Sequence, residues 1–467
     1  MGRLSRSEAF PSLMPSCHVF PMQVMTTAVG LCVLFFSAAN APAQESEAPV
    51  EESQGFSGIR GANYVPSYAS TSVGAWKDFD PQVVDRELAL ARRLSLNSVR
   101  VFLQYVVYED DPQAFVKHVD RFVELADSHK IRPMFVLFDS CFGNEPSLAK
   151  ADSPTWVNNP GYSRIGKEHW PQLERYVSDV VTRFRGDPRV LMWDIMNEPM
   201  ADFAHVTRAE RDAIWEFCRH FCKFVKRIDP QRPITVGHAV VEYIPKTIDL
   251  VDVASVHSYS PHEEWLDNDL DLTFGYARPA GKPVIVTEFG NPGAGQPYEM
   301  ALDVIERRQI GFYFWELMIG KVQFREMSGI VYPDGTIREP VAVARLLGFP
   351  VKRQGGIPLK QAPDTSELKR LLDDPDRWPE LLDKVGQLPR KRETVMATIH
   401  PLAAIGRVAA RPSSDAMEIF ELGLTIGQLF RMKRDTEALD HYDRLLELVG
   451  QVVERRSEER SKPTPEP

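Results

Sequence analysis

Cysteine is scarce in this chain, with five in 467 residues, too few and too odd in number for a disulfide framework. Cys17 and Cys32 lie in the N-terminal segment, which leaves Cys141, Cys218 and Cys222 and at least one free thiol. Cys218 and Cys222 stand four apart in the amphipathic stretch 214–228, so they share a helical face, and core packing is favoured over a metal pair. An excess of basic residues is missing too. Lys and Arg number 55 against 65 Asp and Glu, a net charge of −10, whereas a nucleic-acid partner requires a basic footprint. The apolar stretch from Met25 to Ala39 falls short of the roughly 20 residues a membrane-spanning helix needs. Arg3 and Arg6 precede it and the small residues Ala39, Ala41 and Ala43 close it, the order of a secretory signal. Residues 1–43 are therefore expected to be a signal peptide, and the protein to be secreted or periplasmic without a stable membrane span after cleavage. Asp267, Asp269 and Asp271 start like a calcium loop, but Leu272 replaces its glycine and Arg278 its glutamate, so no metal site is expected.

The rest of the chain is ordinary for a soluble globular protein, with 43% hydrophobic and 26% charged residues. Residues 44–57 are acidic and aperiodic and read as a disordered linker. From 58 to 350 short apolar runs alternate with amphipathic stretches. Strands are predicted at 59–64, 98–103, 133–138, 190–196, 234–237, 253–258, 284–287 and 312–317, with helices such as 81–95, 113–130, 172–184 and 209–228. This pattern implies a parallel sheet covered on both faces. Eight units in about 290 residues fit a closed (β/α)8 barrel. A doubly wound open sheet fits less well, because no glycine-rich turn follows the first run, which ends in Asn63-Tyr64-Val65-Pro66. From 364 to 454 Leu, Arg and Glu recur at helical spacing, and a small helical region is expected, followed by a disordered tail at 455–467.

In such a barrel, chemistry collects at the carboxyl ends of the strands. Glu198 closes Trp193-Asp-Ile-Met-Asn-Glu-Pro199, and Glu288, about ninety residues on, sits in Val284-Ile-Val-Thr-Glu-Phe-Gly290. Pro199 biases Glu198 toward an extended backbone. A pair of carboxyls flanking a bond is the equipment of glycoside hydrolysis.

These residues, with Arg100 in Val99-Arg-Val-Phe102, His257 with Tyr259, and Trp315 in Phe314-Trp-Glu-Leu317, resemble the cellulase-like glycoside hydrolases of family five and clan A over most of 58–349. The resemblance implies a retaining hydrolase of β-linked oligo- or polysaccharides that needs no cofactor. In it, Glu198 is the general acid/base and Glu288 the nucleophile. Asn197 bonds the sugar 2-hydroxyl, Arg100 and Tyr259 position the nucleophile, His257 lines the site and Trp315 is the floor under the sugar. It also implies a cis bond after Trp315, although Glu316 stands where a small or neutral residue is expected. The chain departs again after the third strand, where many members have a histidine and this one has Phe138-Asp-Ser-Cys-Phe142. Asp139 and Tyr64 are candidate wall residues, with turn capping and packing as their alternatives. A catalytically inactive carbohydrate-binding barrel and a transglycosylase are the competing functions.

Overall fold

The computed structural model describes residues 52–141, 144–199, 208–349, 374–392, 414–431 and 434–461, with isolated positions between 371 and 405. The expected signal peptide, the linker as far as Glu51 and the last six residues lie outside them.

Eight parallel strands close into a barrel in sequence order: β1 Arg60–Asn63, β2 Ser98–Phe102, β3 Arg132–Asp139, β4 Met192–Asn197, β5 Ile234–His238, β6 Ala254–His257, β7 Val284–Glu288 and β8 Gly311–Phe314. β2, β4, β5, β6, β7 and β8 are buried along their whole length. Their near-continuous apolar runs are what a sheet covered on both faces requires. The helices between them start where the sequence supplies caps. Asp80 accepts from the Gln82 and Val83 N–H groups ahead of the helix Pro81–Arg93, and Asp111 accepts from Ala114 ahead of Pro112–Ser128. Each helix has Pro at its first position, where no N–H is needed.

One core lies between barrel and helices, and a smaller one, formed by Ile59, Met134, Met192, Val253, Ile285 and Tyr313, fills the barrel itself. Phe56 packs against this inner core. Residues Glu52–Gly58 accordingly form 3-10 turns rather than the aperiodic spacer expected as far as 57. Asp267, Asp269 and Asp271 lie in the helix Glu263–Ala277. Beyond the barrel, helices Trp378–Gln387, Ser414–Arg431 and Asp435–Ser461 share a separate core that includes Trp378, Ile419, Ile426, Tyr442 and Val449. The last helix runs seven residues past the expected boundary at 454. Among the described residues no helix is long and apolar enough to cross a membrane.

Candidate active site

Parallel register sets the polar residues of the barrel mouth side by side. Asn63 pairs with Arg100 across β1 and β2, Asp139 with Asn197 across β3 and β4, and His257 with Glu288 across β6 and β7. Arg100 is fully buried at the centre of this group. Its Nε and Nη2 donate to Asp194 Oδ2 (3.0 and 2.8 Å), Nη1 to Asn63 Oδ1 (2.8 Å) and Glu288 Oε1 (2.5 Å), and Nη2 also to Asn197 Oδ1 (2.7 Å). Burial works against its charge, but Asp194 and Glu288 outweigh burial and hold the guanidinium protonated above its ordinary range.

Glu288 also accepts a hydrogen bond from the Tyr259 hydroxyl at 2.8 Å. Burial, with the Glu198 charge, raises its carboxyl from the ordinary value, and Arg100 and the Tyr259 hydroxyl oppose that rise. His257 Nδ1 lies 2.7 Å from Glu198 Oε1 and 3.6 Å from Glu288 Oε2. Burial pushes this imidazole down to about 3, so it is neutral between pH 5 and 8 and acts as a dipole rather than a cation. One donor atom from each of Glu198, His257 and Glu288 lies within 4.8 Å of the other two. Such a set could ligate a metal, but the Arg100 guanidinium 2.5 Å from Glu288 disfavours a second cation there.

Glu198 follows the last residue of β4 but is not extended. Its φ is 43°, in the left-handed region, a correction to the expectation based on Pro199. The backbone is held there from both sides: Glu198 N–H donates to Gly237 O (2.7 Å), and Ser140 Oγ donates to Glu198 O (3.0 Å). A local bias of one residue on its predecessor yields to these tertiary bonds.

Asp139 lies beside this group and does not stand as a free wall residue. Its carboxylate accepts from Asn197 Nδ2 and Cys141 N (both 2.9 Å) and from Trp156 Nε1 (2.6 Å), so it both orients Asn197 and caps the following turn. Burial raises its carboxyl to about 7 against these three donors. Trp315 meets Phe102 and Trp156 edge-on, with ring centroids at 5.9 and 6.0 Å, and the Trp315–Glu316 peptide is cis. Tyr64 is elsewhere: its hydroxyl donates to Glu87 Oε2 at 2.7 Å and its ring packs 6.1 Å from Phe122, under the helix layer. It is not a wall residue, because side chains alternate along a strand and Asn63 takes the inward position.

Sequence reasoning passed over Asn63, Asp194, Ser140 and Cys141. Period-two alternation was the available signal for Asn63, and a lone acid inside an apolar strand was the signal for Asp194. Nothing local marked Ser140, whose bonds go to the Asn197 and Glu198 carbonyls, and Cys141 shows only a turn bond from its N–H to Asp139. In the segment after β3, Trp156 donates to Asp139 Oδ2 and Tyr162 to Ser140 O (2.8 Å), bracing the end of the strand, while Trp170, the first residue of the helix Trp170–Arg183, stacks on His220 at 4.1 Å.

A beta-glucuronidase from Paenibacillus borealis is 31% identical over 203 residues, covering 37% of this chain and 32% of that protein. Mannan endo-1,4-beta-mannosidase 8 from Oryza sativa subsp. japonica is 23% identical over 240 residues, covering 40% of this chain and 62% of its own. The chain thus spans less than two thirds of either relative. The endo-1,4-beta-mannanase structure from Rhizomucor miehei superposes with a TM-score of 0.48 at 18% identity, covering 62% of this chain and 93% of that one. Residues 61–320, more than half of the chain, match the model of the cellulase family, and the chain belongs to that family, glycosyl hydrolase family 5.

Proposed function

We propose that this protein is a retaining glycoside hydrolase acting on a β-linked oligo- or polysaccharide by double displacement. The observation that carries the reading is the approach of the Glu198 and Glu288 carboxylate oxygens to within 4.8 Å at the mouth of the barrel. Retaining enzymes hold their carboxyls about 5–5.5 Å apart, whereas inverting ones leave about 6.5–9.5 Å for a water between them. Membership of the family and the named activities of the two relatives support a β-linked sugar as substrate.

In the first step Glu288 attacks the anomeric carbon while Glu198 gives its proton to the glycosidic oxygen. The C–O bond breaks, the leaving sugar departs as an alcohol and a glycosyl ester forms on Glu288. In the second step the Glu198 carboxylate takes a proton from water, whose oxygen attacks the anomeric carbon and releases Glu288. Arg100 and Tyr259 hold one oxygen each of the nucleophile, so its attacking geometry is set before substrate arrives. Asn197 is oriented by Arg100 and Asp139 with one amide hydrogen left for a sugar hydroxyl. The signal-like N-terminus supports action outside the cytoplasm, and sequencing the N-terminus of exported protein checks this.

Screening on β-linked polysaccharides and aryl glycosides, followed by NMR of the first-formed anomer, tests the reading. A β product from a β substrate is expected, and an α product rules out retention. Glu288→Ala is expected to lose turnover on every substrate and to yield an inverted glycosyl azide from an activated aryl glycoside when azide is added. Glu198→Ala is expected to keep its first step on such substrates, which need little protonation. Equal residual activity in the two variants would remove the assigned roles.

A further inference from the structure

The loops after β1, β3 and β8 meet over one half of the barrel mouth. Thr71 Oγ1 donates to Lys150 O and Ala151 O, and Ser70 Oγ to Ala151 O (all 3.1 Å), which joins the first loop to the second. Trp156 N–H donates to Gln323 Oε1 (3.1 Å), which joins the second to the third. The third loop returns to the first, where a Cβ built on Gly320 would lie 2.6 Å from Ser67 Cα. Trp156 Nε1 donates to Asp139 Oδ2 at the end of β3, while its ring reaches Phe102 at the end of β2 (5.3 Å) and Trp315 beyond β8 (6.0 Å). It therefore lies across the mouth above β1 and β2. Phe324 of the third loop and Phe102 also meet Trp315 edge-on, at 5.8 and 5.9 Å. Enclosed by three rings, Trp315 is 7% exposed, and Trp156 is 3% exposed.

We propose that the protein removes single sugars from the non-reducing end of its substrate, and that Trp156 is the wall that limits it to chain ends. This rests on the glycosidase reading, which fixes the direction of the chain. Glu198 protonates the glycosidic oxygen, so the leaving part of the substrate lies on the side of β4. The ring whose C1 meets Glu288 extends the other way, towards Trp315, whose N–H donates to Phe289 O beside the nucleophile (2.7 Å). A further sugar on the non-reducing side is joined to the part of that ring far from C1, and it would have to pass Trp156. The indole is held against such passage by its bonds to Asp139 and Gln323 and by its packing between Phe102 and Trp315. Swinging it aside leaves a buried carboxylate oxygen and an N–H unpaired. A terminal sugar carries only a hydroxyl at that position and needs no passage. The wall selects chain ends by a clash with longer chains rather than by extra attraction.

Aryl β-glycosides carrying one sugar or two of the same kind test this, with initial release of the aryl alcohol as the readout. The protein is expected to release it from the one-sugar compound with a kcat/KM about 10-fold or more above that for the two-sugar compound. On β-linked oligosaccharides labelled at the reducing end, the first products by mass spectrometry should be a monosaccharide and a labelled chain one unit shorter. Equal or faster release from the two-sugar compound, or labelled chains of several lengths from the start, overturns the proposal and leaves the glycosidase reading standing. Hydrolysis of none of these β-linked sugars overturns that reading and the proposal with it.

The part played by Trp156 is read from the ratio of the two rates, because a general structural loss lowers both alike. Trp156→Ala is expected to shift the ratio towards the two-sugar compound by about 10-fold or more. Trp156→Phe, which keeps a ring but not the bond to Asp139, should stay near the parent's ratio. An unchanged ratio in Trp156→Ala, or an equal shift in both variants, removes Trp156 as the wall. Trp156→Leu, which keeps apolar contact with Phe102 and Trp315, serves for the same measurement where the alanine variant does not fold.

Discussion

Arg100 has five N–H donors and all five are engaged, two of them on Asp194, a carboxylate with no exposed surface. Lysine has one nitrogen and no planar fork, so Arg100→Lys cannot serve Asn63, Asp194, Asn197 and Glu288 together. The variant is expected to lose on the order of 100-fold or more in kcat/KM. It should also lose about 1–3 kcal/mol of stability in urea unfolding, the cost of leaving buried acceptors without their donors. Activity near that of the parent would show that Arg100 does not set the nucleophile. The pH profile has a sign at this scale too. Glu288 must be ionised to attack, and burial lifts it above its ordinary value of 4.5, so kcat/KM should fall as pH drops through a value above 4.5. An acidic limb at or below 4.5 would mean that Arg100 and Tyr259 outweigh burial.

At the scale of elements, two strand glycines separate stability from activity. A Cβ built on Gly61 of β1 would lie 2.2 Å from Tyr313 Cδ1, inside the barrel core. A Cβ on Gly237 of β5 would instead lie 2.8 Å from both Arg100 Nη2 and His257 Nε2. Gly61→Ala is therefore expected to lower stability by about 1–3 kcal/mol through overpacking, with kcat of the folded fraction little changed. Gly237→Ala should displace Arg100 or His257 and lower kcat/KM by roughly 100-fold, as a displacement near 1 Å can. Thermal unfolding beside steady-state kinetics distinguishes them, and a Gly237→Ala protein with full activity would show that the site has slack.

At the scale of the whole molecule, the barrel and the C-terminal helices bury separate apolar clusters among the described residues. A chain ending at Phe349 should then keep a cooperative thermal transition within a few degrees of the full protein, and its kcat as well, since every described site residue precedes that point. A non-cooperative transition or a large loss of kcat would show that the helices support the barrel.

The eight strands and their order were legible in the sequence because a strand buried on both faces must be written as a short apolar run, which few other structures require. The helix start at Pro81 was read from the sequence and the one at Pro112 was read one residue late, at 113, because the caps Asp80 and Asp111, chemistry between residues two or three apart, went unused. The residues at the strand ends could be named from the same apolar runs. Their partners could not. Arg100 meets Asn63 from 37 residues away, Asp194 from 94 and Glu288 from 188, and each meeting depends on strand register and barrel closure. Asp139 was open between a sugar contact and a turn cap, and the fold gave it Asn197 as well. Tyr64 was chosen where Asn63 belonged, and Glu198 is left-handed where Pro199 pointed to an extended strand. The sequence by itself determined the alternating elements and the kinds of side chain at their ends. Only the closed barrel decided which of those side chains touch, because hydrogen bonds act over about 3 Å and a linear sequence carries no distances between strands.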